Sequence, residues 1–202
     1  MEKVKNEQLQ KSVEELFQAF YLGNVDKIKS LIESALAQGV DPHSKDDTDD
    51  SLLHYIFMWE LKDKAKLSLD NGADPNIKNN HDRTPLHIVA NNYEENLILV
   101  AMLLKKGALI ELTDCWGFTP LLLAARSGHK EIIKLLLQYG ADLNVIVPPS
   151  FFDKPDKSLI GLVPDDKLEL KALLQLAKAC NNNDFSIIDN SVTAENIKEF
   201  FD

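Results

Sequence analysis

Histidine, cysteine and clustered aspartate are the residue types in this chain that could do chemistry. His43 and His81 have no Cys or His partner at the spacing of a metal site. Neither Cys115 nor Cys180 is flanked by the cluster of positive charges that marks a reactive thiol. No phosphate-binding glycine loop, nucleophile elbow or paired Glu/His helix motif occurs. We therefore expect no enzymatic activity, no bound metal and no cofactor.

Four aspartates lie between positions 46 and 50, and they could bind a hard cation or a basic partner. The spacing lacks the central Gly and distal Glu of a calcium loop. A solvated loop is one interpretation, and a surface for a basic protein is the other, which the net charge of −10 favours. The same charge argues against nucleic-acid binding, because phosphate would be repelled.

The clearest structural unit, at 116–144, predicts two short helices. Thr119 can cap the first helix, with Pro120 at its first position. Gly128 ends that helix in a left-handed conformation, and Gly140 ends a second helix predicted at about 130–138 in the same way. The apolar residues expected to face neighbouring helices are Leu121, Ala124, Ala125, Ile132, Ile133, Leu135, Leu136 and Leu137. Such a helix pair cannot bury its apolar faces alone, so it needs neighbours.

The unit recurs at regular intervals along the chain. The closing glycines lie at 39, 72, 107 and 140, and Ser or Thr follows each of the first three after 12 positions. Thr84-Pro85-Leu86-His87 is the most faithful copy of the opening motif. This order and spacing resemble the ankyrin repeat, whose usual length is about 33 residues. The resemblance implies an all-α solenoid of stacked helix pairs with projecting loops, and a concave binding face. It also implies framework hydrogen bonds for His54 and His87 and a structural role for His129.

We predict one domain over 1–202. It comprises an N-terminal cap repeat at 1–40, repeats at 41–73, 74–108 and 109–141, and an inserted loop at 142–166. The end of the chain, 167–202, is a degenerate fifth repeat with Ala172 in the Thr position, or an unrelated helical cap. The fifth-repeat interpretation requires about twenty inserted residues. In the third repeat, two extra residues around Tyr93 are expected to lengthen the turn between helices.

The remaining features of the sequence concern the compartment. The first ten residues contain no apolar signal core, and no run approaches the ~18 apolar residues of a spanning helix. Cysteines 65 positions apart do not resemble a disulfide framework. We expect a soluble monomer without membrane contact, in the cytoplasm or, for an effector, in a host cytosol.

The family's variable, partner-facing positions are the loop tips and the end of the first helix. In this chain they place eleven residues on the predicted binding face: Asp47, Asp50, Met58, Trp59, Arg83, Asn91, Asn92, Trp116, Phe118, Arg126 and Phe151. Aromatic and Arg side chains are typical binding hot spots. Trp116, beside the turn residue Gly117, is our first choice for a partner contact. We expect Trp116→Ala to weaken binding and leave the melting temperature nearly unchanged. For Trp59 and Phe118, packing against a neighbouring repeat is the alternative.

These observations favour a non-catalytic module that binds another protein. A narrower hypothesis is a bacterial effector, and another is an inhibitor or immunity-type protein that occludes an enzyme's active site with residues 147–166. A hypothesis of a different class places an enzymatic or metal function in 147–202. That segment contains no His and a single Cys, which argues against it.

Overall fold

The computed structural model describes residues 25–41, 43–45, 49–92, 96–148 and 158–179, together with Glu15, Gln18, Ala19 and Leu22. These residues form helices and connecting loops without a β-strand, which confirms the predicted all-α class. The helices are α1 Val25–Ala37, α2 Leu52–Met58, α3 Lys62–Asp70, α4 Pro85–Asn91, α5 Leu97–Lys105, α6 Pro120–Ser127, α7 Lys130–Gln138, α8 Leu159–Leu162 and α9 Leu168–Ala179. None of the helices within this part of the chain is long and apolar enough to cross a membrane.

The helices stack in two layers. The first helices of successive repeats, α2, α4, α6 and α8, pack on one another in that order, and so do the second helices α1, α3, α5 and α7. Within a repeat, the first helix packs against the second helix that follows it. The buried apolar side chains form one continuous core from Ala19 to Leu174. The stack of helix pairs that the sequence predicts is confirmed.

Local sequence sets the ends of α6 as predicted. The Thr119 hydroxyl accepts the backbone N–H of Leu122 at 3.3 Å, and Pro120 occupies the first turn, where its missing N–H costs little. Gly128 ends the helix with a φ of 73°, a left-handed conformation that glycine adopts without a Cβ clash. Gly140, after α7, has a φ of 94°.

Two histidines connect one repeat to the next. The ring of His87 is buried, and its Nδ1 accepts the backbone N–H of Thr84 at 3.1 Å. Its proton therefore lies on Nε2, which donates to the carbonyl oxygen of Phe118 in the next repeat at 3.1 Å. His54 makes the equivalent bond to the carbonyl oxygen of Arg83 at 2.8 Å. The predicted framework role of both histidines is confirmed.

The prediction for residues 142–166 is wrong in part, because this range is not all inserted loop. Residues 159–162 form α8, which packs on α6 as a first helix does and pairs with α9. Ser158 precedes α8 as Ser51 precedes α2. Each serine forms an isolated β-bridge with a residue of the loop that precedes it.

The register of this last helix pair also differs from the prediction. Ser158, not Ala172, occupies the cap position, and Ala172 lies exposed within α9. The separation from Gly140 to Ser158 is 18 positions instead of 12, so six residues are inserted and not about twenty. A four-residue helix containing Gly161 is too short to show helical periodicity in the sequence. The first 24 residues of the cap repeat predicted at 1–40, apart from four, lie outside the described residues, as do the turn at Tyr93 and residues 180–202.

The buried position of His87 has a consequence for its titration. Burial lowers the pKa of His87 from 6.5 to about 4, because the charged ring would lose its hydration. Because the pKa of His87 is lowered by folding, its contribution to the unfolding free energy is fully present above about pH 6.5. This contribution is lost as the pH falls towards 4. The loss at the acid end is about 3 kcal/mol.

We expect NMR titration of the His87 ring protons to show a neutral imidazole down to about pH 5. The chain in denaturant serves as the control, because there His87 regains its ordinary value. A folded-state midpoint near 6.5 would contradict the assigned hydrogen bonds.

Candidate functional site

The structure gathers five of the predicted residues, Arg83, Asn91, Trp116, Phe118 and Arg126, around the loop before α6. We call this group the loop-tip cluster. Asp47 and Phe151 lie outside the described residues, so their predicted role stays a prediction.

Trp116 lies at the centre of the loop-tip cluster and remains 36 % exposed. One face of its indole stacks on the ring of His81, with centroids 5.2 Å apart and planes 16° from parallel. The guanidinium carbon of Arg83 lies 4.9 Å from the indole centroid, within the range of a cation–π contact. Trp116 therefore has intramolecular contacts that the sequence did not indicate, and they restrict the orientation of its indole.

The prediction that Phe118 contacts a partner is wrong. Its side chain is 1 % exposed and belongs to the core between repeats. Phe118 immediately precedes the cap residue Thr119. Its burial in the core supports the alternative interpretation, packing against a neighbouring repeat.

Arg126 covers the edge of that core. Its guanidinium carbon lies 5.3 Å from the centroid of the Phe118 ring, and its Nη2 donates to Asn91 Oδ1 at 2.7 Å. Burial lowers the pKa of Arg126, the charge of Arg83 lowers it further, and Asp114 opposes both. Two guanidinium groups thus lie close enough to repel each other.

Asp114 holds the loop-tip cluster together, and sequence reasoning missed it. Its side chain is 1 % exposed. Oδ1 accepts the backbone N–H groups of Trp116 at 3.0 Å and Phe118 at 2.9 Å, and Oδ2 lies 3.5 Å from Nε of Arg83. Asn79 has the equivalent role one repeat earlier, where its side-chain oxygen accepts the backbone N–H groups of His81 and Arg83. The signal was available, because both residues lie five positions before a threonine cap.

A second group of predicted residues lies where the second repeat meets the third. The amide nitrogen of Asn92 approaches the carbonyl oxygen of Met58 at 3.3 Å and Oε1 of Glu60 at 3.4 Å. Met58 is 39 % exposed, whereas Trp59 is half-buried against the core. Trp59 Nε1 is buried and makes no hydrogen bond within the described part of the chain. Packing therefore accounts for most of the Trp59 surface.

Two further features of the predicted binding face are Asp50 and an open cavity. Asp50 is half-buried and accepts the side-chain N–H of Asn79 at 2.8 Å, so it supports the loop as well as facing outwards. The cavity lies beside the loop-tip cluster and is lined by Asn91, Asn92, Ser127 and His129.

The groups in and around the loop-tip cluster are suited to non-covalent binding of a ligand. Its groups are guanidinium and amide donors and an exposed indole, which can form hydrogen bonds and apolar contacts with a ligand. The described residues contain no group of three His, Cys, Asp or Glu side chains that could hold a metal ion.

Comparison with known proteins identifies the repeats. A family model described as ankyrin repeats matches residues 53–146 in three copies. Two putative ankyrin repeat proteins of Rickettsia bellii (strain RML369-C) are 42 % and 38 % identical over 95 % and 92 % of this chain. The chain spans 60 % and 56 % of their lengths. A third putative ankyrin repeat protein of the same strain is 32 % identical over 91 % of this chain and 72 % of its own length.

The ion pair between Asp114 and Arg83 generates a stability prediction. Asp114→Asn keeps the Oδ1 acceptor, as Asn79 shows, but removes the charge that faces Arg83. We expect the unfolding free energy to fall by about 1–3 kcal/mol in urea denaturation.

A double-mutant cycle with Arg83→Gln isolates the pair, with an expected coupling of about 1 kcal/mol. The exposed pair of Lys78 and Asp82, at 3.3 Å, is the control, with an expected coupling of about 0.5 kcal/mol or less. Strictly additive effects of the Asp114 and Arg83 substitutions would show that their ion pair does not stabilise the loop.

Proposed function

This chain belongs to the ankyrin-repeat family, and on that premise we propose that it is a non-catalytic module that binds a protein partner through the loop-tip cluster and the first-helix layer. Ankyrin repeats are generally protein–protein interaction modules, and the family is typically non-enzymatic. The observation that supports this site most strongly is the exposed but oriented indole of Trp116.

Orientation matters because binding has an entropic cost. A rotamer-rich side chain loses about 0.5–1.5 kcal/mol when an interface immobilises it. The stack on His81 and the contact with Arg83 restrict Trp116 before binding, so less of that cost remains. An interface of ordinary size buries about 800 Å² on each side. An interface of that size would extend from the loop-tip cluster to the adjacent first helices.

A narrower role as a bacterial effector is a second proposal. The relatives from Rickettsia bellii support it only through their bacterial origin, which that role requires. Its test is cell fractionation of infected host cells, in which the chain is expected in the host cytosol. Retention of the whole pool inside the bacteria would contradict the effector role and leave the proposed binding module intact.

The test of the binding module uses affinity capture with the full chain, followed by a titration of the recovered partner. We expect Trp116→Ala to weaken binding by more than about 1 kcal/mol, because the indole is the central apolar contact. The loss of the stack on His81 should lower stability by about 1 kcal/mol, more than the sequence alone led us to expect.

Tyr139→Ala is the matched control for this titration. Tyr139 is 43 % exposed, follows the second helix of the same repeat and is not a member of the loop-tip cluster. Its removal should leave affinity unchanged. A folded Trp116→Ala variant that binds the partner as tightly as the unmodified chain would refute the assigned binding face.

A further inference from the structure

The chain has 22 basic residues, and only two of them, Arg83 and Arg126, are arginines. Both lie in the loop-tip cluster. We propose that these two guanidinium groups together bind the carboxylate of an Asp or Glu side chain of the protein partner. The inference rests on the proposed function and reverses, at this point of the surface, the expectation of a basic partner.

The aromatic rings position both arginines. Arg83 lies over the indole of Trp116 and Arg126 lies over the ring of Phe118, at 4.9 and 5.3 Å from guanidinium carbon to ring centroid. The two rings belong to one loop, separated by Gly117. Each cation–π contact restricts the guanidinium to the face of its ring.

The donors of these groups are incompletely used within the described residues. Nε of Arg83 is buried and faces Asp114 Oδ2 at 3.5 Å, so only the terminal nitrogens of this side chain, which is 26 % exposed, can reach a ligand. Arg126 donates to Asn91 from one of its terminal nitrogens. A guanidinium carries five N–H donors, so a ligand with two acceptor oxygens can be held by both groups.

Charge balance at the site favours a monoanionic carboxylate. The two guanidinium groups share one buried counter-ion, Asp114, whose Oδ1 is already occupied by two backbone N–H groups. The repulsion between Arg83 and Arg126 is therefore only partly offset. The pKa of Arg126 is lowered first by burial and then by the charge of Arg83, and Asp114 opposes both effects. One further carboxylate would make the number of positive and negative charges equal.

The use of arginine instead of lysine at these two positions supports a role in binding a carboxylate, as opposed to a role in solubility alone. The other basic positions are lysines, which keep charge on the surface as point charges. The planar fork of arginine matches the two oxygens of a carboxylate, and it is used only where the aromatic rings orient it.

The test is a selection of a random, unmodified peptide library against the full chain, followed by synthesis of the strongest binder. We expect Asp and Glu to be enriched among the selected peptides. Exchange of the anchoring Asp or Glu for its amide should weaken binding at least about tenfold, as should Arg83→Gln or Arg126→Gln.

Two further variants separate recognition from net charge and from folding. The Lys62→Gln/Lys106→Gln chain loses the same charge as the Arg83→Gln/Arg126→Gln chain, outside the loop-tip cluster, and should bind the peptide normally. The Arg83→Lys/Arg126→Lys chain keeps the charge but loses the fork, and it should bind several-fold more weakly while its melting temperature stays near that of the unmodified chain.

The outcomes distinguish the two proposals. Selected peptides without acidic enrichment, or equal affinity in the two double-Gln chains, would overturn the carboxylate site and leave the binding module standing. Failure to select any peptide would contradict both.

Discussion

The hydrogen bond from His87 to the carbonyl oxygen of Phe118 is the interaction on which the loop-tip cluster depends. It fixes the end of the loop that carries Trp116 to the first helix of the preceding repeat. The N–H of Phe118 in turn binds Asp114, and Asp114 faces Arg83. One buried imidazole thus connects the framework of the solenoid to the loop that carries Trp116 and to Arg83. His87, although histidine is a residue typical of catalysis, therefore has a structural role in this chain.

The electrostatics of the face differ from those of the whole chain. The net charge is −10, yet the loop-tip cluster brings two guanidinium groups to one buried carboxylate. A partner that responds to the overall field would be basic, whereas a partner side chain that reaches this cluster would be acidic. Long-range attraction and local recognition need not have the same sign, because exposed charges are screened beyond about 10 Å at moderate salt. The acidic net charge therefore says little about the chemistry of the central contact.

The sequence predicted those features that neighbouring residues encode. The Thr-Pro start of α6 and the left-handed Gly128 follow from backbone preferences, and the equal spacing of the glycines predicted the stack. Features that depend on packing between repeats were missed or wrong. The ring of Phe118 enters the core although its sequence position is equivalent to that of half-exposed Arg83. The helix α8 was missed because four residues give no periodicity.

The most direct test of the central claim is an NMR titration of the labelled chain with its captured protein partner. The chain has two tryptophans, so its indole N–H region contains two side-chain signals that single substitutions assign. We predict that the Trp116 signal shifts or broadens on binding, together with backbone signals of the loop before α6. An unperturbed Trp116 signal, with changes confined to the second helices α3, α5 and α7, would contradict the account.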